Sequence, residues 1–159
     1  MIYHFGSRDG LLLAVVQAVE EDQRTAMAEL AGAEDTSMAE LTRRMWERVA
    51  DPRLRPHERL FFELYGRALQ GDPAAAPMLR WAVPAWLDHV ATVLTARGLA
   101  PARARALARL GLATTRGLLL DLLATGDRAA VDEAVELFIA AHTPEWEAAT
   151  DRGAPGGSR

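Results

Sequence analysis

The sequence predicts an all-α protein, a bundle of about six helices. Three observations carry this. Apolar residues recur at three- and four-residue spacing through most of the 159 positions. Gly or Pro punctuates the periodic runs, and no segment alternates apolar and polar residues with the period of a strand.

The first helix is expected over about Arg8–Leu30. Ser7 is its N-cap candidate, since a hydroxyl there can accept from a backbone N–H one turn on, and Asp9 suits the positive end of the helix dipole. Leu12, Val15, Val16, Val19, Ala26, Met27 and Leu30 form its apolar face, while Glu20, Glu21, Asp22 and Arg24 fill the other side. The acidic run 20–22 reads as a solvated face. Gly32 is the expected C-cap. A second helix starts near Thr36 or Ser37, with Ser37 and Glu40 in capping-box spacing. Met38, Leu41, Met45 and Val49 are its inner stripe, and Asp51-Pro52 ends it.

A third helix begins near Pro56, presents Leu60, Phe61, Leu64, Tyr65, Ala68 and Leu69, and closes at Gly71-Asp72-Pro73. The fourth segment, about Ala75–Arg97, contains Pro84 inside a periodic run, which predicts a kink or break there. Gly98 ends it. The fifth helix, about Pro101–Ala124, starts polar and turns almost wholly apolar from Leu110 to Leu123, so it is expected to be buried on more than one side. Gly111 and Gly117 within it lower helix propensity by roughly 1 kcal/mol each, which makes sense where another backbone comes close. The sixth helix spans about Arg128–His142. From Thr143 the composition turns to Pro, Gly, Ala and charge, so 143–159 is expected to be mostly a disordered tail.

The totals narrow the function classes. A formal net charge of -4 argues against a molecule that is basic all over, so any nucleic-acid surface would be local. Every basic residue is Arg. Cysteine is absent, which removes disulfides, thiolate metal sites and a Cys nucleophile, and fits a cytoplasmic location. No apolar run approaches the ~20 residues that span a bilayer, and no secretory signal pattern opens the chain.

The stretch Tyr3-His4-Phe5-Gly6-Ser7, running into Leu11-Leu12 on the next helix, resembles the junction in the tetracycline-repressor (TetR) family of transcriptional regulators. There a DNA-recognition helix ends in a Tyr-x-His-Phe-type signature, and a long helix leads on to a regulatory domain. The run Gly117–Asp127 with the amphipathic segment after it is similar to the closing helix pair of such regulators, which builds a four-helix dimer interface. The resemblance implies that 1–6 are the remnant of a recognition helix and that 7–142 form a ligand-binding and dimerisation domain. It implies DNA-phosphate contacts for Tyr3, His4 and Arg8. It also implies a ligand-responsive repressor in which most of the helix-turn-helix is missing. Base readout needs the recognition helix seated in the major groove, so DNA is an expected partner only with that domain present.

Ligand-pocket candidates are Trp46, Phe61, Phe62, Tyr65, Trp81, Trp86, His89 and Arg116, because aromatic walls with a few polar groups suit a small apolar or aromatic effector. Arg116 must snorkel, pair with an acid such as Asp121, or face a ligand anion. Leu110, Leu118, Leu119, Leu122, Val131, Val135, Phe138 and Ile139 offer more apolar surface than two helices easily hide, and they are the candidates for a homodimer interface.

Enzyme readings find no support. Serines stand only at 7, 37 and 158, outside any triad pattern. His57-Glu58 begins like a zinc-protease helix, but Phe61 occupies the second histidine position, and the other histidines (4, 89 and 142) lack metal-ligand spacing. No cofactor is expected. Two alternatives stay open: a helical dimerisation protein that sequesters full-length partners, and a ligand-carrying bundle unconnected to transcription.

Overall fold

Ser7 opens the first helix as its chemistry requires, its Oγ accepting from the backbone N–H of Gly10 at 3.0 Å. The computed structural model describes residues 7–33 and 36–153, and Tyr3 and His4 lie outside them. Among the described residues the chain is all-helical: α1 (Arg8–Gly32), α2 (Met38–Val49), α3 (Arg55–Leu69), α4 (Pro84–Ala96), α5 (Pro101–Thr125) and α6 (Arg128–Gly153). Short 3₁₀ turns at Pro52–Leu54 and Ala76–Arg80 precede α3 and α4.

Local chemistry accounts for most boundaries. α1 includes Gly32, and its cap falls one residue later on Ala33, in extended conformation. Ser37 Oγ accepts from Glu40 N at 3.1 Å, but the Glu40 carboxylate pairs with Arg44 at 2.7 Å instead of closing the capping box. Pro84 breaks the fourth segment outright. It sits in the first turn of α4, where its missing N–H costs nothing. Gly98 (φ 94°) and Gly126 (φ 72°) adopt the left-handed conformation after α4 and α5. Leu99 N donates to Leu94 O at 3.2 Å, closing the end of α4.

Two apolar cores result. The larger joins α2, α4, α5 and α6 with Met27 of α1, and includes Leu41, Leu94, Leu107, Leu122, Val131 and Ile139. The smaller gathers Val16, Phe61, Leu64, Met78 and Ala82. Phe62 packs against both.

Three expectations need correction. α6 continues past His142 to Gly153, so 143–153 is helix and not tail. Pro144 removes one backbone donor inside it, but Pro144 and Ala140, whose carbonyl is left without it, both face outward where water can serve. Trp146 and Ala149 are buried and hold the last turns to the core. The helix-face assignment in α1 also changes: Glu20 and Gln23 lie on the inner stripe with Val16 and Met27, while Val15 is exposed. Finally, among the described residues no backbone comes within 4 Å of where a Cβ would stand on the α5 glycines. A Cβ on Gly111 would meet Phe138 Cζ at 3.9 Å, and one on Gly117 would meet nothing within 4 Å.

Candidate ligand-binding cavity

All six helices wall one internal cavity of about 160 Å³. α1 contributes Glu20, Gln23 and Met27; α2 contributes Met38, Leu41, Thr42, Met45, Trp46 and Val49. From α3 come Glu58, Phe61 and Phe62, and from α4 Trp86, Val90 and Leu94. α5 adds Leu107, Gly111, Leu112, Thr114 to Arg116, Leu118 and Leu119, and α6 closes it with Val135, Phe138 and Trp146. The amphipathic stripes of six helices converge here, so the lining is mostly apolar with a few polar groups on one side.

The charged and amide groups among them belong to α1, α3 and α5. Glu20 Oε2 accepts from the Trp86 indole N–H at 2.7 Å, and its Oε1 lies 3.4 Å from His57 Nε2. Gln23 Oε1 accepts from Arg48 Nε at 2.6 Å, and Arg48 also reaches Asp22 at 2.7 Å. The Arg116 guanidinium lies over the rings of Phe61 (4.9 Å) and Tyr65 (5.5 Å) and donates to the carbonyl of Ala82. Burial lowers its pKa from the ordinary value, while Glu20, Tyr65 and Glu58 oppose that shift. Glu58 is buried and makes no hydrogen bond among the described residues. Burial pushes its carboxyl up to about 7; nearby Glu20 raises it further, and His57 and Arg116 pull the other way.

Of the eight pocket candidates, the structure brings Trp46, Phe61, Phe62, Trp86 and Arg116 to the cavity wall. Tyr65 is set behind it, stacked on Phe61 at 5.8 Å. Trp81 packs against the smaller core. His89 stands edge-on to Trp86 at 6.3 Å, outside the lining, with its pKa lowered by burial and then by Arg24. Arg116 does not pair with Asp121, which is exposed. Arg8 is exposed at the start of α1.

Comparison with protein-family models, curated proteins and solved structures gives no match.

The dimer candidates fare differently. Leu119, Leu122, Val131, Val135 and Ile139 are buried inside the subunit, and Leu118 and Phe138 pack half-buried against the same core. The expected surplus of apolar surface is absorbed because α4 covers α5 and α2 covers α6. Of the eight, only Leu110 is exposed. One exposed stripe of α5 is nonetheless uncharged: Ala106, Leu110, Ala113, Gly117, Leu120 and Ala124, spaced alternately four and three apart, with exposed Arg109 and Asp121 beside it. On α6, Leu137, Ala140 and Ala141 are exposed as well.

Sequence reasoning missed Glu20, Gln23 and Glu58. The signal was present. Val16, Glu20, Gln23 and Met27 are spaced four, three and four apart, and Glu58 precedes Phe61, Leu64 and Ala68 on one stripe of α3. A charged side chain in register with a buried stripe marks a site more specifically than another aromatic does. Among the described residues no cluster of His, Cys, Asp or Glu is arranged to hold a metal, and no helix is long and apolar enough to cross a membrane.

Proposed function

We propose that the chain is the effector-sensing and dimerising part of a ligand-responsive transcriptional regulator of the TetR type, acting as a repressor in the cytoplasm. The observation that carries this reading is that the long first helix walls the cavity. Glu20, Gln23 and Met27 of α1 line it, and the same helix begins at the Ser7 cap that follows Tyr3-His4-Phe5-Gly6. A sensor of this kind needs one rigid element touching both effector and DNA reader, and α1 meets that need.

The first turn of α1 is clamped as well. Arg67 on α3 reaches Asp9 at 3.2 Å and Asp72 at 2.7 Å, and α3 also supplies Glu58, Phe61 and Phe62 to the cavity wall. A small aromatic effector that spreads α1 from α3 therefore shifts the tilt of α1 at its amino-terminal end. In a dimer that tilt sets the separation of the two DNA-reading elements, so binding favours a spacing that no longer matches the operator.

The uncharged stripe of α5, with Leu137 on α6, is the surface that would pair with a second copy. Gly117 at its centre lets a partner helix come near. No cofactor and no chemical step is required.

Titration with small aromatic compounds tests the sensing half, with tryptophan fluorescence as the readout because Trp46, Trp86 and Trp146 line the cavity. Saturable quenching is expected, and its absence across a panel contradicts the reading. For the dimer, light scattering at micromolar concentration should give twice the chain mass, and Leu120→Arg should give the monomer. A monomeric parent chain contradicts the dimer.

A further inference from the structure

The geometry points to a lipophilic organic cation as the occupant of the central cavity, with the Glu58 carboxylate as its counter-ion. This rests on the reading of the cavity as an effector site and goes further by assigning the effector's charge.

Most charged and amide groups of the wall already have partners. Glu20 is engaged twice, by the Trp86 indole and by His57, and Gln23 is held by Arg48. Arg116, the basic side chain in the wall, is committed to the Ala82 carbonyl and to the faces of Phe61 and Tyr65. Glu58 is the charged group left over, 6 % exposed and without a hydrogen bond among the described residues; the Trp146 indole N–H in the same wall is unpaired as well. A buried carboxylate without a hydrogen bond is disfavoured, and burial keeps the proton on Glu58 to about pH 7 even though His57 and Arg116 pull the other way. A bound cation supplies the missing partner. An anion would share the wall with Glu20 and Glu58, where the one guanidinium, that of Arg116, is already committed, and a neutral ligand would leave Glu58 as it was.

The rest of the wall suits the same chemistry. Phe62, Trp46 and Trp86 present aromatic rings, whose faces attract ammonium groups in a desolvated site. The volume of about 160 Å³ fits a single substituted benzene ring better than a larger polycyclic molecule.

Binding of a cation must then expel the proton from Glu58. The other ionisable groups facing it are His57 on its own helix, Glu20 on α1 and Arg116 on α5. Because these groups share the site, the Glu58→Gln variant is needed to isolate the part that Glu58 plays.

Calorimetric titration with phenyltrimethylammonium, its neutral carbon isostere tert-butylbenzene, and benzenesulfonate tests the assignment. The cation should bind roughly tenfold or more tighter than the isostere at about pH 8. Its affinity should fall about tenfold at about pH 6, while that of tert-butylbenzene stays level. Cation binding near neutral pH should release a proton into the buffer, detectable as a binding heat that changes with the buffer's ionisation enthalpy. Glu58→Gln should bind tert-butylbenzene as before while losing both the cation preference and its pH dependence. Equal affinity for the isostere, tighter binding of benzenesulfonate, or a Glu58→Gln variant that keeps the preference overturns the cation assignment and leaves the cavity as an aromatic site. Failure of all three probes to bind overturns the site reading along with it.

Discussion

At the scale of single residues, three polar side chains separate this interior from an ordinary apolar core. Glu20, Gln23 and Glu58 stand where the helical stripes call for apolar side chains, and two of them are tied down by a tryptophan and an arginine from other helices. Glu58 is the strained one. Its folded carboxyl holds a proton to about pH 7 against an ordinary value of 4.5. Below pH 4.5 both folded and unfolded chains carry that proton, so Glu58 costs nothing. As pH rises through the window between those values the unfolded chain releases it and the folded chain does not, so stability falls and then levels off. Urea denaturation at about pH 5 and about pH 8 should show a loss on the order of 2–3 kcal/mol from this group, and Glu58→Gln should flatten the profile by that amount. At the apolar extreme, Leu41 is fully buried in the larger core and also meets the cavity. Leu41→Ala should cost ~2–5 kcal/mol in the same measurement, toward the lower end if the cavity already relieves the packing around it.

At the scale of elements, the helix count and most boundaries were legible because caps and breakers act locally. Ser7, Ser37, Pro84 and Gly126 each do in the structure what their backbone chemistry demands. Ser37→Ala should lower stability by ~0.5–2 kcal/mol, a modest effect because Glu40 does not complete the box. What was not legible depends on tertiary contact. Pro144 reads as a stop, and only the burial of Trp146 two residues later explains why α6 goes on. Likewise the inward turn of Glu20 follows from partners far away in sequence, Trp86 and His57, and a run of three acids gives no hint of them. Four of the five pocket candidates that do meet at the cavity are large aromatics, which mark convergent faces, and Arg116 is the fifth. The dimer candidates were misplaced because apolar stripes alone do not say whether the cover is another helix of the same chain. Trp146→Ala provides the sharp test of the α6 extension. A loss of ~3–5 kcal/mol is expected for a buried tryptophan, against about 0.5 kcal/mol or less for a residue in a solvated tail.

At the scale of the whole molecule, the cavity is where the six helices share one space, and α1 is the part of that wall best placed to carry a signal outward. Its inner stripe meets the cavity at Glu20, Gln23 and Met27, and its first turn is linked to α3 through Asp9 and Arg67. Weakening that clamp should uncouple the two ends of α1 without closing the cavity. Asp9→Ala is therefore expected to leave probe affinity within about twofold while loosening the amino-terminal turns of α1, as the half-buried pair is still screened by solvent and contributes modestly to stability itself. The most direct measurement of the account is amide hydrogen exchange on the chain free and saturated with the tightest-binding aromatic probe. Protection should change along α1 from Glu20 back toward Ser7, together with the part of α3 that faces the cavity. Binding with α1 unaltered, and changes confined to surface positions away from the cavity, would contradict it.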